Sequence, residues 1–129
     1  MSGTERIYGL HAVRAVLARD PARVVQAILT DRRDDRRIAE IEALGGEAIA
    51  NPGDVGSYED CYNMVKQAMD TWGRLDAVVA NAGILRDVAV HNMSEQDWDL
   101  VIRVHLKQCY NLAHHVWPVF RQQSYGRFV

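Results

Sequence analysis

The chain holds only two cysteines in 129 residues, Cys61 and Cys109, and each falls inside an apolar helical pattern. Two thiols so placed argue against a disulfide-stapled secreted scaffold and for a reducing compartment in which both are buried. No stretch approaches the ~18 consecutive apolar residues of a membrane-spanning helix. The opening MSGTERIYG lacks the apolar core of a secretory signal. The expectation is a soluble, cytoplasmic protein. Positive charge is not in excess either: 15 Lys and Arg face 17 Asp and Glu, a net charge of -2, which weighs against a polyanion partner. His91, His105, His114 and His115 fall at no metal-ligand spacing, so no metal is expected. Internal repeats, low-complexity tracts and linkers are missing too. What remains is one ordinary globular domain, 48% hydrophobic and 25% charged.

The apolar pattern that is present alternates between two periods. Leu10, Val13, Val16 and Leu17 recur at helical spacing until Asp20-Pro21. Val24, Val25, Ala27, Ile28 and Leu29 form a β-branched run of strand length. Asp34 to Leu44 is helical, with Ile38, Ile41 and Leu44 on one face and Gly45-Gly46 as its stop. Glu47 to Ala50 is a short strand ending at the Asn51-Pro52-Gly53 turn. Ser57-Tyr58-Glu59-Asp60 resembles a capping box, and Cys61, Met64, Val65, Ala68, Met69 and Trp72 follow at helical spacing until Gly73. Leu75 to Ala80 is the next strand. Ser94-Glu95-Gln96-Asp97 opens a longer helix with a stripe of Trp98, Val101, Ile102, His105, Cys109, Leu112, Ala113 and Val116, and Pro118 marks a kink or break. Arg127-Phe128-Val129 begins one more strand. Strands apolar on both faces, alternating with amphipathic helices, predict an α/β fold: three layers around a mostly parallel sheet, Rossmann- or flavodoxin-like.

In such sheets ligands bind beyond the carboxyl ends of the strands. The Leu75 to Ala80 strand ends in Asn81, Ala82 and Gly83, three small residues that let another body approach the backbone. Taken alone, this glycine could equally serve only to turn the chain.

The succession GGEAIANPGDV, GRLDAVVANAGILRD, SEQDWDLVIRVHL, WP and YGR resembles the short-chain dehydrogenase/reductase family, in particular its hydroxyacyl-CoA dehydrogenases of the peroxisomal multifunctional type. The resemblance covers roughly Ile38 to Val129. It implies a nicotinamide cofactor, NAD or NADP, whose cleft is lined by Asn81, Ala82 and Gly83 and whose adenine meets Asp54 and Val55. Asp54 reads equally as a carboxylate favoured by the dipole of the next helix. His105 stands where the family carries an asparagine that supports a catalytic water and lysine. It reads either as part of a proton relay or as a histidine satisfied in the core. The family's catalytic serine and Tyr-x-x-x-Lys motif follow the strand that begins at Arg127, so no catalytic residue is assigned within these 129 residues and little or no turnover is expected from them. The Tyr62 to Lys66 pair lies on the wrong element and is read as solvent-facing. Relative to a full short-chain dehydrogenase, the fold is expected to be incomplete.

In the N-terminal third, Ser2 to Gly9 can be laid on the family's glycine-rich TGxxxGxG turn, but Ile7 replaces its middle glycine, and its branched side chain would block the phosphates. Asp31 ends the Val24 to Leu29 strand, where an acid would hold the adenosine ribose, while Arg32 and Arg33 beside it would suit a 2'-phosphate. A second resemblance covers Glu5 to Arg37: ERIYGLHAVRAVLARDPARVVQAIL looks like the N-terminal substrate-binding domain of trefoil-knot 2'-O-ribose methyltransferases that act on ribosomal RNA. The two resemblances meet near Ile38 to Leu44, which reads as a composite with a segment junction between residues 38 and 50, natural or engineered. Three functions follow as expectations: a partial nicotinamide-binding domain, an RNA-contacting module using Arg14, Arg19, Arg23, Arg32, Arg33, Arg36 and Arg37, or a folded composite without a ligand. Exposed sheet edges would favour a homodimer.

Overall fold

The computed structural model describes residues 26–29, 35–43 and 45–129. The glycine-rich alignment at Ser2 to Gly9, the first helical pattern, and Asp31, Arg32 and Arg33 lie outside the described residues. The elements in order are β1 (Gln26–Leu29), α1 (Asp35–Ala43), β2 (Glu47–Ala50), α2 (Tyr58–Trp72), β3 (Ala77–Val78), α3 (Glu95–Ile102), α4 (Gln108–Gln123) and β4 (Arg127–Phe128). A short 3-10 turn at Val90–Asn92 precedes α3, and a π turn at Arg103–Lys107 joins α3 to α4.

Both described pairings are parallel. β1 pairs with β2 from Gln26 opposite Glu47 to Leu29 opposite Ala50, and β3 pairs with β4. Parallel pairing needs a crossover, which α1 supplies for the first pair and α3–α4 for the second. The expected strand over Leu75 to Ala80 is regular only at Ala77–Val78, yet its ladder reaches further: Arg127 N–H donates to Asp76 O at 2.9 Å, Val129 N–H to Val78 O at 2.9 Å and Ala80 N–H to Val129 O at 2.7 Å.

Helix boundaries follow the local chemistry. The Ser57 hydroxyl accepts from Asp60 N–H, and the Ser94 hydroxyl accepts from Asp97 N–H, each closing an N-terminus. Gly73 ends α2 in the left-handed region, φ 71°, with its N–H on Met69 O. Gly45, φ 84°, does the same for α1. Pro118 neither breaks α4 nor ends it: the helix runs through to Gln123.

The core lies between α2, α4 and β3. Cys61, Met64, Val65 and Ala68 of α2 pack against Leu112, Val116 and Phe120 of α4, with Leu75 and Val78 beneath. Cys61 is fully buried, as expected, whereas Cys109 is half-buried. The expected inward stripe of the long helix holds only in part. Trp98 and Ile102 are exposed, at 54% and 38%, and His105 is exposed as well. The buried residues of the α3–α4 pair lie in α4, at Gln108, Asn111, Leu112, Val116 and Phe120, whereas α3 and the π turn bury none.

Candidate cofactor site

Two loops leave the carboxyl ends of β2 and β3, and both meet the same helix. After β2, Asn51 closes the NPG turn by accepting Gly53 N–H on Oδ1 at 2.8 Å and donating to Gln67 Oε1 at 2.6 Å. Asp54 then folds its carboxylate onto the loop. One oxygen accepts Gly56 N–H at 2.7 Å, and the other pairs with Arg103 of the π turn. The Asp54 N–H donates to Asp60 Oδ2 at 2.8 Å. The side chain remains 45% exposed, so lone pairs are left for a ligand donor. Val55 packs its side chain on the core, and its carbonyl accepts from Cys61 Sγ at 3.2 Å and Asn111 Nδ2 at 3.1 Å. Burial, with the carboxylates of Asp60 and Asp54 nearby, raises the Cys61 thiol from its ordinary 9.0 to about 11. It is therefore an uncharged donor and not a nucleophile.

After β3, Asn81 is exposed and its N–H turns back onto Val79 O at 2.9 Å. Ala82 O accepts from Gln108 Nε2 at 2.6 Å. Gly83 lies under the ring of His105: a Cβ there would sit 2.9 Å from Cε1. The same ring sets Nε2 2.7 Å from Ile84 O and 3.1 Å from Ile84 N, and the tautomer decides which of the two is bonded. One of the two readings of His105 is thereby corrected: it is not satisfied within the core but exposed at the π turn, where its ring lies against Gly83 and pins the loop after β3.

The structure thus brings together Asp54, Val55, Asn81, Ala82, Gly83 and His105 around α4 and its π turn, while Asp31 lies outside the described residues. Sequence reasoning missed Arg103, Gln108 and Asn111, which hold the loops; Gln108 and Asn111 are buried at 2% and 0%, and their roles depend on partners distant in sequence. Tyr62 and Lys66 project from α2 into solvent, and Lys66 pairs with Asp70. The Asp54 carboxylate keeps lone pairs free on its exposed side, and the exposed Asn81 offers both an amide donor and an acceptor.

Parallel strands, crossover helices and polar loops at the carboxyl ends define a Rossmann-like α/β fold. A sequence model of the short chain dehydrogenases matches residues 3–129, and the chain belongs to that family. It is 46% identical over 95 residues to a Mycobacterium tuberculosis protein named as a short-chain type dehydrogenase/reductase, covering 74% of this chain and 33% of that one. To the peroxisomal hydratase-dehydrogenase-epimerase of Neurospora crassa it is 42% identical, over 71% of this chain and 10% of that one. A solved short chain dehydrogenase from Mycobacterium avium superposes with a TM-score of 0.81 at 27% identity, over 96% of this chain and 52% of that one. The chain therefore spans a third or less of these two curated relatives and about half of the solved one. The family match runs through Glu5 to Arg37, and neither the methyltransferase resemblance nor the composite built on it finds support. Among the described residues, no helix is long and apolar enough to cross a membrane.

Proposed function

We propose that residues 1–129 are the nicotinamide-dinucleotide-binding part of an NAD(P)-dependent oxidoreductase. The observation that carries this reading is the convergence of the Asp54–Val55 and Asn81–Gly83 loops at the carboxyl ends of parallel strands, in a chain matched to the family from residue 3 onward. Asp54 would accept the adenine amine, Val55 would wall one side of the ring, and Asn81 to Gly83 would line the path of the dinucleotide. Bound there, the nicotinamide supplies or accepts a hydride at a hydroxyl or carbonyl carbon. The resemblance to hydroxyacyl-CoA dehydrogenases makes a hydroxyacyl thioester the substrate class to try first. Proton transfer in the family belongs to a serine and a Tyr-x-x-x-Lys set that follows the strand β4. NADH fluorescence titration tests the reading: saturable binding that Asp54→Ala weakens is expected, and no fluorescence change at millimolar NADH overturns it.

A further inference from the structure

We propose that Gln108 and Asn111 form a two-point clamp that sets the spacing of the two cofactor loops, and that both are positioning residues for the dinucleotide. This rests on the cofactor reading above. Ala82 and Val55 leave β3 and β2, which among the described residues belong to separate sheets. No described ladder fixes one loop against the other. Each carbonyl is instead held by a primary amide of α4, Ala82 O by Gln108 Nε2 at 2.6 Å and Val55 O by Asn111 Nδ2 at 3.1 Å. The two amides are three residues apart, a rise of about 4.5 Å on neighbouring faces of one helix. The helix acts as a ruler between the loops.

The clamp is kept against stability. Both side chains are buried, and each uses only its donor: Gln108 Oε1 and Asn111 Oδ1 have no hydrogen-bond partner. A buried acceptor left unmet opposes folding, and an aliphatic side chain of similar size would avoid that cost. Two such residues, one turn apart, are retained where their donors reach the two candidate loops. The π turn adds to the same device. One extra residue in a turn rotates the preceding face by about 100°, which brings Arg103 round to Asp54. The loop after β2 is thus tied to the helix at Asp54 and at Val55.

The two arms of the clamp differ in strength. Val55 O has a second donor in Cys61 Sγ, whereas Gln108 is the one described side chain that donates to Ala82 O. Removing Gln108 therefore matters more than removing Asn111.

The test compares the wild-type protein with Gln108→Leu, Asn111→Leu and, as a flexible alternative should leucine fail to fold, Gln108→Met. NADH affinity, melting temperature and amide hydrogen exchange are measured on each. Gln108→Leu is expected to weaken NADH binding about tenfold, the worth of one hydrogen bond, and Asn111→Leu less. The melting temperature changes little, because removing the unmet Gln108 Oε1 offsets the loss of the donor to Ala82 O, and exchange quickens at Gly83 and Ile84. Wild-type affinity and unchanged exchange in both Gln108 variants overturn the clamp, as does an affinity loss matched by a drop in melting temperature. If the wild-type protein itself fails to bind NADH, the cofactor reading falls, and exchange alone decides: faster exchange at Gly83 and Ile84 sustains the clamp, and unchanged exchange removes it.

Discussion

The imidazole of His105 lies on Gly83, so close that a Cβ at Gly83 would stand 2.9 Å from Cε1. The glycine of the Asn-Ala-Gly stretch is thereby accounted for by a ring from the π turn, and the loop after β3 takes its position from the helix.

Gly83→Ala should therefore displace the exposed His105 ring and destabilise the protein by no more than about 1 kcal/mol, the low end for overpacking. Combined with His105→Ala, the same change should cost clearly less, because the clashing ring is gone. Chemical denaturation of the two single variants and the double variant gives the coupling; additive effects would show that the two residues do not press on each other.

A tighter constraint sits at Gly126, where a Cβ would overlap the ring of Phe120. Phe120 is buried in the core, and Gly126 leads directly into β4. Gly126→Ala should cost about 3 kcal/mol, at the upper end for overpacking, and should be partly rescued by Phe120→Leu. A melting curve like that of the wild type would rule the contact out.

Gln123 acts as a surrogate strand for Leu75. Its Oε1 accepts Leu75 N–H at 3.0 Å and its Nε2 donates to Leu75 O at 2.8 Å, at the point where the chain enters β3. Gln123→Leu leaves a buried N–H and a buried carbonyl unmet and should destabilise by about 2 kcal/mol. Denaturation midpoints of Gln123→Leu and Gln123→Glu check this: only the former loses both bonds.

The Cys61 thiol, raised from 9.0 to about 11, gives a pH signature. Below pH 9 the thiol is protonated in both folded and unfolded chains. Between about pH 9 and 11 the unfolded thiol ionises first, so the folded state binds more protons and stability falls as pH rises. Cys61→Ala should flatten this part of the stability profile relative to the wild type, and a thiol reagent at pH 8 should label Cys61 only after unfolding.

The parts of the fold written in local chemistry were legible. Ser57, Gly73 and the apolar spacing of α2 specify that helix by capping and amphipathicity alone, and Ser94 marks the start of α3. Asn81 to Gly83 could be singled out because small residues at strand ends have a ligand-side meaning in parallel sheets, and Asp54 only through the family resemblance. What escaped depended on long-range partners or on helix register. The π turn leaves no mark in a 3.6-residue reading, which puts Trp98 and Ile102 inward where the structure leaves both exposed. Gln108, Asn111 and Gln123 act on backbone groups 26 to 56 residues away, and nothing near them in sequence announces it. The Glu5 to Arg37 stretch led elsewhere because a short strand-helix segment carries little to distinguish one α/β family from another.

The most direct test of the cofactor site is an amide chemical-shift map of the protein titrated with NADH. Shifts concentrated at residues 53–56 and 81–84, with the outer faces of α2 and α4 unmoved, are the predicted result. Saturable binding whose shifts fall elsewhere, leaving both loops silent, would contradict the account.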